Sequence, residues 1–76
     1  MISVRLFASL PARSATGRKK FEVEPRQGLT VGEIVEAEGL EPADVHIVMV
    51  NGVRTTMDSE LADGDRLGLF PLVGGG

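Results

Sequence analysis

The sequence predicts an α+β domain, a mixed sheet of about five strands laid across one main helix. Three observations predict it: period-two runs at residues 2–7 and 19–24, one capped helical stretch opening at Thr30, and an apolar run at residues 46–50 followed by Asn51-Gly52. At 76 residues the chain makes one domain, whose core leaves only a narrow margin over chain entropy.

Residues 2–7 place Ile2, Val4 and Leu6 on one face and Ser3, Arg5 and Phe7 on the other, the alternation of a half-buried strand. Residues 8–17 contain Pro11, Ser14, Thr16 and Gly17, which break that period, so they read as a loop holding one helical turn. Residues 19–24 alternate again with Phe21 and Val23 inward, and the two runs form an antiparallel hairpin that Pro25 ends. Thr30-Val31-Gly32-Glu33 has capping-box spacing, in which each side chain satisfies an orphan N–H of the first helical turn. Val31, Ile34 and Val35 continue at helical spacing and Ala37 joins their face. Glu33, Glu36 and Glu38 then face water, and Gly39 supplies the left-handed stop. So short a helix is stable only against a sheet. Beyond Pro42, residues 46–50 form a strand, Asn51-Gly52 a tight turn and Val53-Arg54 the return strand. Asp63-Gly64-Asp65 turns into a last strand, residues 66–70, with Leu67 and Leu69 on one face and Phe70 on the other. Two hairpins flanking one helix, with the last strand returning toward the first, describe the β-grasp or ubiquitin-like architecture.

A net charge of −3 and a pI near 5.0 argue against a nucleic-acid binder, whose affinity would come from Lys and Arg on phosphates. The one basic cluster, Arg18-Lys19-Lys20, reads as a solvated strand start. No apolar run approaches a membrane span, and residues 1–7 alternate where a secretory signal would show a basic segment and then a hydrophobic block. A cytoplasmic protein with no membrane partner is expected. Without cysteine there is no disulfide, no thiolate metal site and no side chain to carry a persulfide. His46 has no Cys, Ser or Asp at a motif spacing and reads as structural. Asp63 and Asp65 are open to a metal or acid–base reading, but their Gly64-centred spacing is explained by turn formation; no metal site and no bound cofactor are expected.

The final residues set the functional expectation. Gly74, Gly75 and Gly76 contribute nothing to a core and lose much backbone entropy on ordering. They are either a frayed end or a segment thin enough to thread a partner's active site with its carboxylate leading. Residues 1–73 are read as the folded domain and residues 74–76 as a flexible tail. Asn51-Gly52, then Leu61 and Asp63-Gly64-Asp65, then Leu69-Phe70-Pro71 and a terminal Gly-Gly resemble the MoaD/ThiS-like sulfur-carrier proteins of molybdopterin and thiamin biosynthesis. The likeness spans nearly the whole chain. Phe70-Pro71 is similar to the small subunit of molybdopterin synthase, whereas Val73-Gly74-Gly75-Gly76 and the short chain are also like the thiamin carriers.

The resemblance implies a chemistry centred on Gly76. A terminal carboxylate, with a pKa of about 3.3–3.7, is an anion and a poor electrophile at neutral pH. An enzyme similar to the ubiquitin-activating class would adenylate it, using ATP that the partner binds, and a sulfur donor would displace AMP to leave a thiocarboxylate. That sulfur would go to a biosynthetic intermediate on an acceptor enzyme, such as the large subunit of molybdopterin synthase or a thiazole synthase. Gly75 and Gly76 carry the reaction by access and position, and Leu72, Val73 and Gly74 guide the thread. Pro71 adjoins Phe70, and both, with Phe7, are expected to dock the partner. Phe7 and Phe70 fall opposite their strands' aliphatic residues and make an exposed patch beside the tail; the competing reading folds one or both rings over the sheet edge or under residues 8–17. The same activation would serve a ubiquitin-like modifier joined to lysines through Gly76, and an interaction module with an idle tail is the third reading.

Overall fold

The computed structural model describes residues 1–72. The first alternating run forms β1 (Ile2–Leu6), with Ile2, Val4 and Leu6 buried. It pairs antiparallel with β2 (Lys20–Val23) and parallel with β5 (Arg66–Phe70). On its far side β5 pairs antiparallel with β3 (Ile47–Val50), and β3 with β4 (Val53–Thr55), so the strand order is β2-β1-β5-β3-β4. One parallel pair at the centre of an otherwise antiparallel sheet gives the mixed β-grasp arrangement. The β3–β4 turn has Asn51 at φ +52° and Gly52 at φ +81°, the paired left-handed conformation that makes Asn-Gly the favoured hairpin dipeptide.

One face of the sheet packs on α2 (Val31–Ala37), whose Val31, Ile34 and Val35 are buried with Ile2, Val4, Leu67 and Leu69. The capping box is present: Glu33 N–H donates to Thr30 Oγ1 at 3.3 Å and Thr30 N–H to Glu33 Oε1 at 3.1 Å. Two other first-turn donors, the N–H groups of Val31 and Gly32, reach the carbonyls of Ser59 and Met57 at 3.0 and 2.9 Å. The loop after β4 therefore terminates the helix as well as covering it. Its Leu61 enters the core, as do Leu29 and Leu40 from the loops on either side of α2.

Two expectations for α2 are corrected. Ala37 is exposed, and Glu38, expected in water, is 4% exposed. The apolar stripe begun at Val31 continues through Ile34 and Val35 to i+7, which is residue 38. The carboxylate survives burial because it is satisfied: Thr16 Oγ1 donates to it at 2.7 Å and Arg18 Nη2 at 2.6 Å. Arg18, exposed like Lys19 and Lys20 in the basic strand start, is thus also tethered to Glu38, and its guanidinium lies 4.2 Å from the centre of the Phe21 ring. The loop that supplies Thr16 and Arg18 contains the expected helical turn, α1 (Leu10–Arg13), whose Leu10 is fully buried. Gly39 stops α2 at φ +77°, and Ala15 packs so close that a Cβ there would lie 2.8 Å from its methyl.

A candidate docking face beside the C-terminal segment

Residues paired directly across the ladders share a face. Arg5 pairs with Lys20 and Gly68, Ser3 with Glu22 and Arg66, Met49 with Gly68 and Arg54, and Ile47 with Phe70. All of these lie on the face away from α2. Phe7, one residue past β1, stays in the ladder by donating its N–H to Leu69 O at 3.0 Å. It thereby comes level with Phe70, and the two rings stack with centroids 4.2 Å apart and planes 5° from parallel. Each is half-buried. Neither folds over an edge, so the structure brings together the two aromatic residues expected to adjoin.

What allows the stack is a residue the sequence reading passed over. Gly68 lies between Arg5 and Met49 in the sheet, and a Cβ there would stand 3.3 Å from Phe7 Cε2 and 3.4 Å from Phe70 Cε1. The missing side chain is the floor on which the rings rest. A glycine inside an alternating strand is the sequence signal for such close approach. Around the pair is an open depression of about 420 Å³, lined by Phe7, Phe70, Gly68 and Met49 with Arg5 and Arg66 beside them.

Comparisons with known proteins place the chain that carries this face. The ThiS family model matches residues 4–76. The chain belongs to the ThiS family. Its fold is shared with a Pyrococcus furiosus protein assigned as molybdopterin converting factor, subunit 1 (28% identity, TM-score 0.69, covering 95% of this chain and 97% of that one). It is also shared with SAMP1 from Haloferax volcanii (29% identity, TM-score 0.74, 99% and 98% covered) and with the Haloferax volcanii HVO 2177 protein (26%, 0.73, 99% and 85%). No curated protein matches the chain.

In this ThiS-family chain the remaining residues named from sequence are placed as follows. The last ladder bond runs from His46 N–H to Phe70 O at 2.7 Å, after which the chain leaves the sheet. Pro71 is buried, so it anchors the departure and offers a partner little surface, while Leu72 is 61% exposed. Val73, Gly74, Gly75 and Gly76 lie outside the described residues. His46 contributes its backbone to the ladder and leaves its side chain exposed.

Asp63 and Asp65 serve their turn. The Ala62 N–H, at 2.8 Å, and then the Asn51 amide, at 2.9 Å, hold the Asp65 carboxyl below the usual carboxylate range. Asp63 is held low chiefly by its hydrogen bond from the Met1 α-ammonium. Both are therefore anions at neutral pH, with no proton to donate. Asn51 completes the bridge by accepting from Arg66 N–H at 2.9 Å, which fixes the start of β5 to the β3–β4 turn. Among the described residues no group of three or more His, Cys, Asp or Glu is placed to hold a metal ion, and no helix is long and apolar enough to cross a membrane.

Proposed function

We propose that this chain is a sulfur carrier, activated at Gly76 by a ubiquitin-activating-like enzyme and docked through the Phe7–Phe70 face. The observation that carries the reading is the ThiS-family match, which runs through Gly75 and Gly76. The Gly76 carboxylate oxygen attacks the α-phosphate of ATP on the partner, pyrophosphate leaves, and a sulfide-level donor (hydrosulfide) then attacks the acyl carbon, displaces AMP and loses its proton. The resulting thiocarboxylate delivers its sulfur to an acceptor enzyme of molybdopterin or thiamin biosynthesis. The chain supplies a thin glycine segment, Leu72 and Val73 to guide it, and a rigid face for orientation. ATP is the partner's ligand.

A second reading has its own support, because SAMP1 is also described as a small archaeal modifier protein. In that reading Gly76 is joined to lysine amines. Two measurements decide. Deleting Gly75 and Gly76 leaves the melting temperature unchanged and abolishes ATP-dependent activation by the cognate adenylating enzyme; a truncated chain that still supports the pathway refutes both readings. Intact-mass analysis of protein from its native cell then shows a sulfur-for-oxygen exchange at Gly76 for a carrier, and isopeptide conjugates on many proteins without sulfur for a modifier. With no cysteine in the chain, added sulfur cannot be a side-chain persulfide.

A further inference from the structure

The charges of this protein are segregated by face. The chain carries eight Lys and Arg against eleven Asp and Glu, for a net −3. The ladder registers place four of the cations, Arg5, Lys20, Arg54 and Arg66, on the open face and one acid, Glu22. All five side chains are exposed. Elsewhere three cations are neutralised internally: Arg13 pairs with Asp44, Arg18 with Glu38 and Arg26 with Glu33. None of the four on the open face forms an ion pair among the described residues. Of the five Lys and Arg without an ion pair among the described residues, four are therefore on the open face, the exception being Lys19 just before β2, and Arg5 there lies 5.8 Å from the Phe7 ring centre.

We infer that this face recognises an acidic protein surface, one that presents carboxylates around an apolar side chain seated over Gly68 and the two rings. The inference rests on the reading of this face as the docking face and adds the chemistry of its partner. Carboxylates reaching Arg5, Lys20, Arg54 and Arg66 would steer encounter and fix orientation, while the apolar centre supplies contact area. A second copy is a poor occupant, since two such faces would oppose like charges. A nucleic acid would set phosphates against the apolar centre formed by Gly68 and the two rings, which offers them no hydrogen-bond or charge partner.

The test titrates the full-length 15N-labelled protein by NMR with a synthetic peptide carrying glutamates on both sides of one leucine. Its lysine counterpart and oligothymidylate are the comparison probes. The acidic peptide is expected to shift the amide signals of Arg5, Phe7, Gly68 and Phe70, and the shifts fade as salt rises from about 50 to about 300 mM. No shift, shifts on other faces, equal response to the lysine peptide or tighter binding of oligothymidylate each overturn the inference. A second arm uses the cognate adenylating enzyme and ATP–pyrophosphate exchange. Arg5→Glu with Arg66→Glu is expected to raise KM about tenfold or more with kcat unchanged, and the double reversal Arg13→Glu with Arg26→Glu, away from the open face, leaves KM as it was. If the double variant is activated as well as the natural chain, the inference falls and the sulfur-carrier reading stands. If no chain is activated but the acidic peptide binds, that reading falls and the inference stands.

Discussion

On the side of the sheet that α2 covers, Ile2, Val4, Leu67 and Leu69 are 0–2% exposed, and no charge enters except Glu38 at the helix end. On the other side the same strands carry two half-buried rings over a glycine and, among the described residues, four cations without an ion pair and no covering element. The difference separates two tasks. The covered face is where burial outweighs chain entropy, and in so small a domain nearly all the apolar area available for that purpose lies there. The open face, whose residues are half-buried or exposed, adds less to cohesion.

Leu69 and Phe70 are adjacent in β5 and point to opposite faces, so they make the sharpest comparison. Leu69→Ala is expected to cost about 2–5 kcal/mol, as buried leucine truncations do, which is a large part of the roughly 5–15 kcal/mol that holds an ordinary domain together. Phe70→Ala removes half-exposed ring contact and is expected to cost about 1 kcal/mol. Urea unfolding with unchanged m-values measures both. Equal losses would mean that the stacked rings belong to the core and that the two faces do not differ in task.

Most of the fold was legible because its signals are local. The Thr30–Glu33 capping box, the Asn51-Gly52 turn, the alternation in β1 and β5 and the stop at Gly39 each need only a few neighbouring residues to be read, and each is present. What escaped depends on partners distant in sequence. Glu38 looked like a solvated helix residue because Thr16 and Arg18, which make its burial tolerable, lie 22 and 20 positions earlier. Gly68 looked like an ordinary strand position because the ring of Phe7 arrives across a parallel ladder that only the closed sheet creates. Phe7 and Phe70 could be placed by parity alone. The charge segregation needed the ladder registers, since the net charge has the opposite sign.

Glu38 is the exception on the covered side, and it tests whether that side tolerates polarity only when it is satisfied. Glu38→Ala takes the acceptor from the exposed Thr16 hydroxyl and from Arg18 Nη2, which can turn to water while Arg18 Nε keeps Thr16 Oγ1 at 3.1 Å, and it loosens the loop that carries Leu10 into the core. A loss of about 1 kcal/mol is expected. Glu38→Leu replaces the charge with apolar volume on the stripe of Val31, Ile34 and Val35, and should recover part of that loss, because a hydrophobic isostere needs no partner. Thermal unfolding of the two variants checks the order. Equal losses would mean that the hydrogen bonds from Thr16 and Arg18, and not the burial, decide the stability of this corner.

The smallest expected change in stability comes from Gly68→Ala. Alanine lowers the entropy of the unfolded chain and strengthens a strand, effects worth about 0.4–1 kcal/mol in favour of the fold. Against this, the new methyl would stand 3.3 Å from Phe7 and 3.4 Å from Phe70, so the rings must give by a few tenths of an ångström. Because both rings are half-exposed they can move without opening the core, and the two effects nearly cancel. The melting temperature should therefore change little. The stack should not survive unchanged: the ring protons of Phe7 and Phe70 shield one another at 4.2 Å, and their NMR shifts should move as the centroids separate. Binding to the adenylating enzyme should weaken with them. A variant with altered ring shifts, unaltered stability and reduced binding would separate recognition from cohesion at a single position on the sheet. Loss of stability in step with the stack would instead show that the open face helps to hold the domain together.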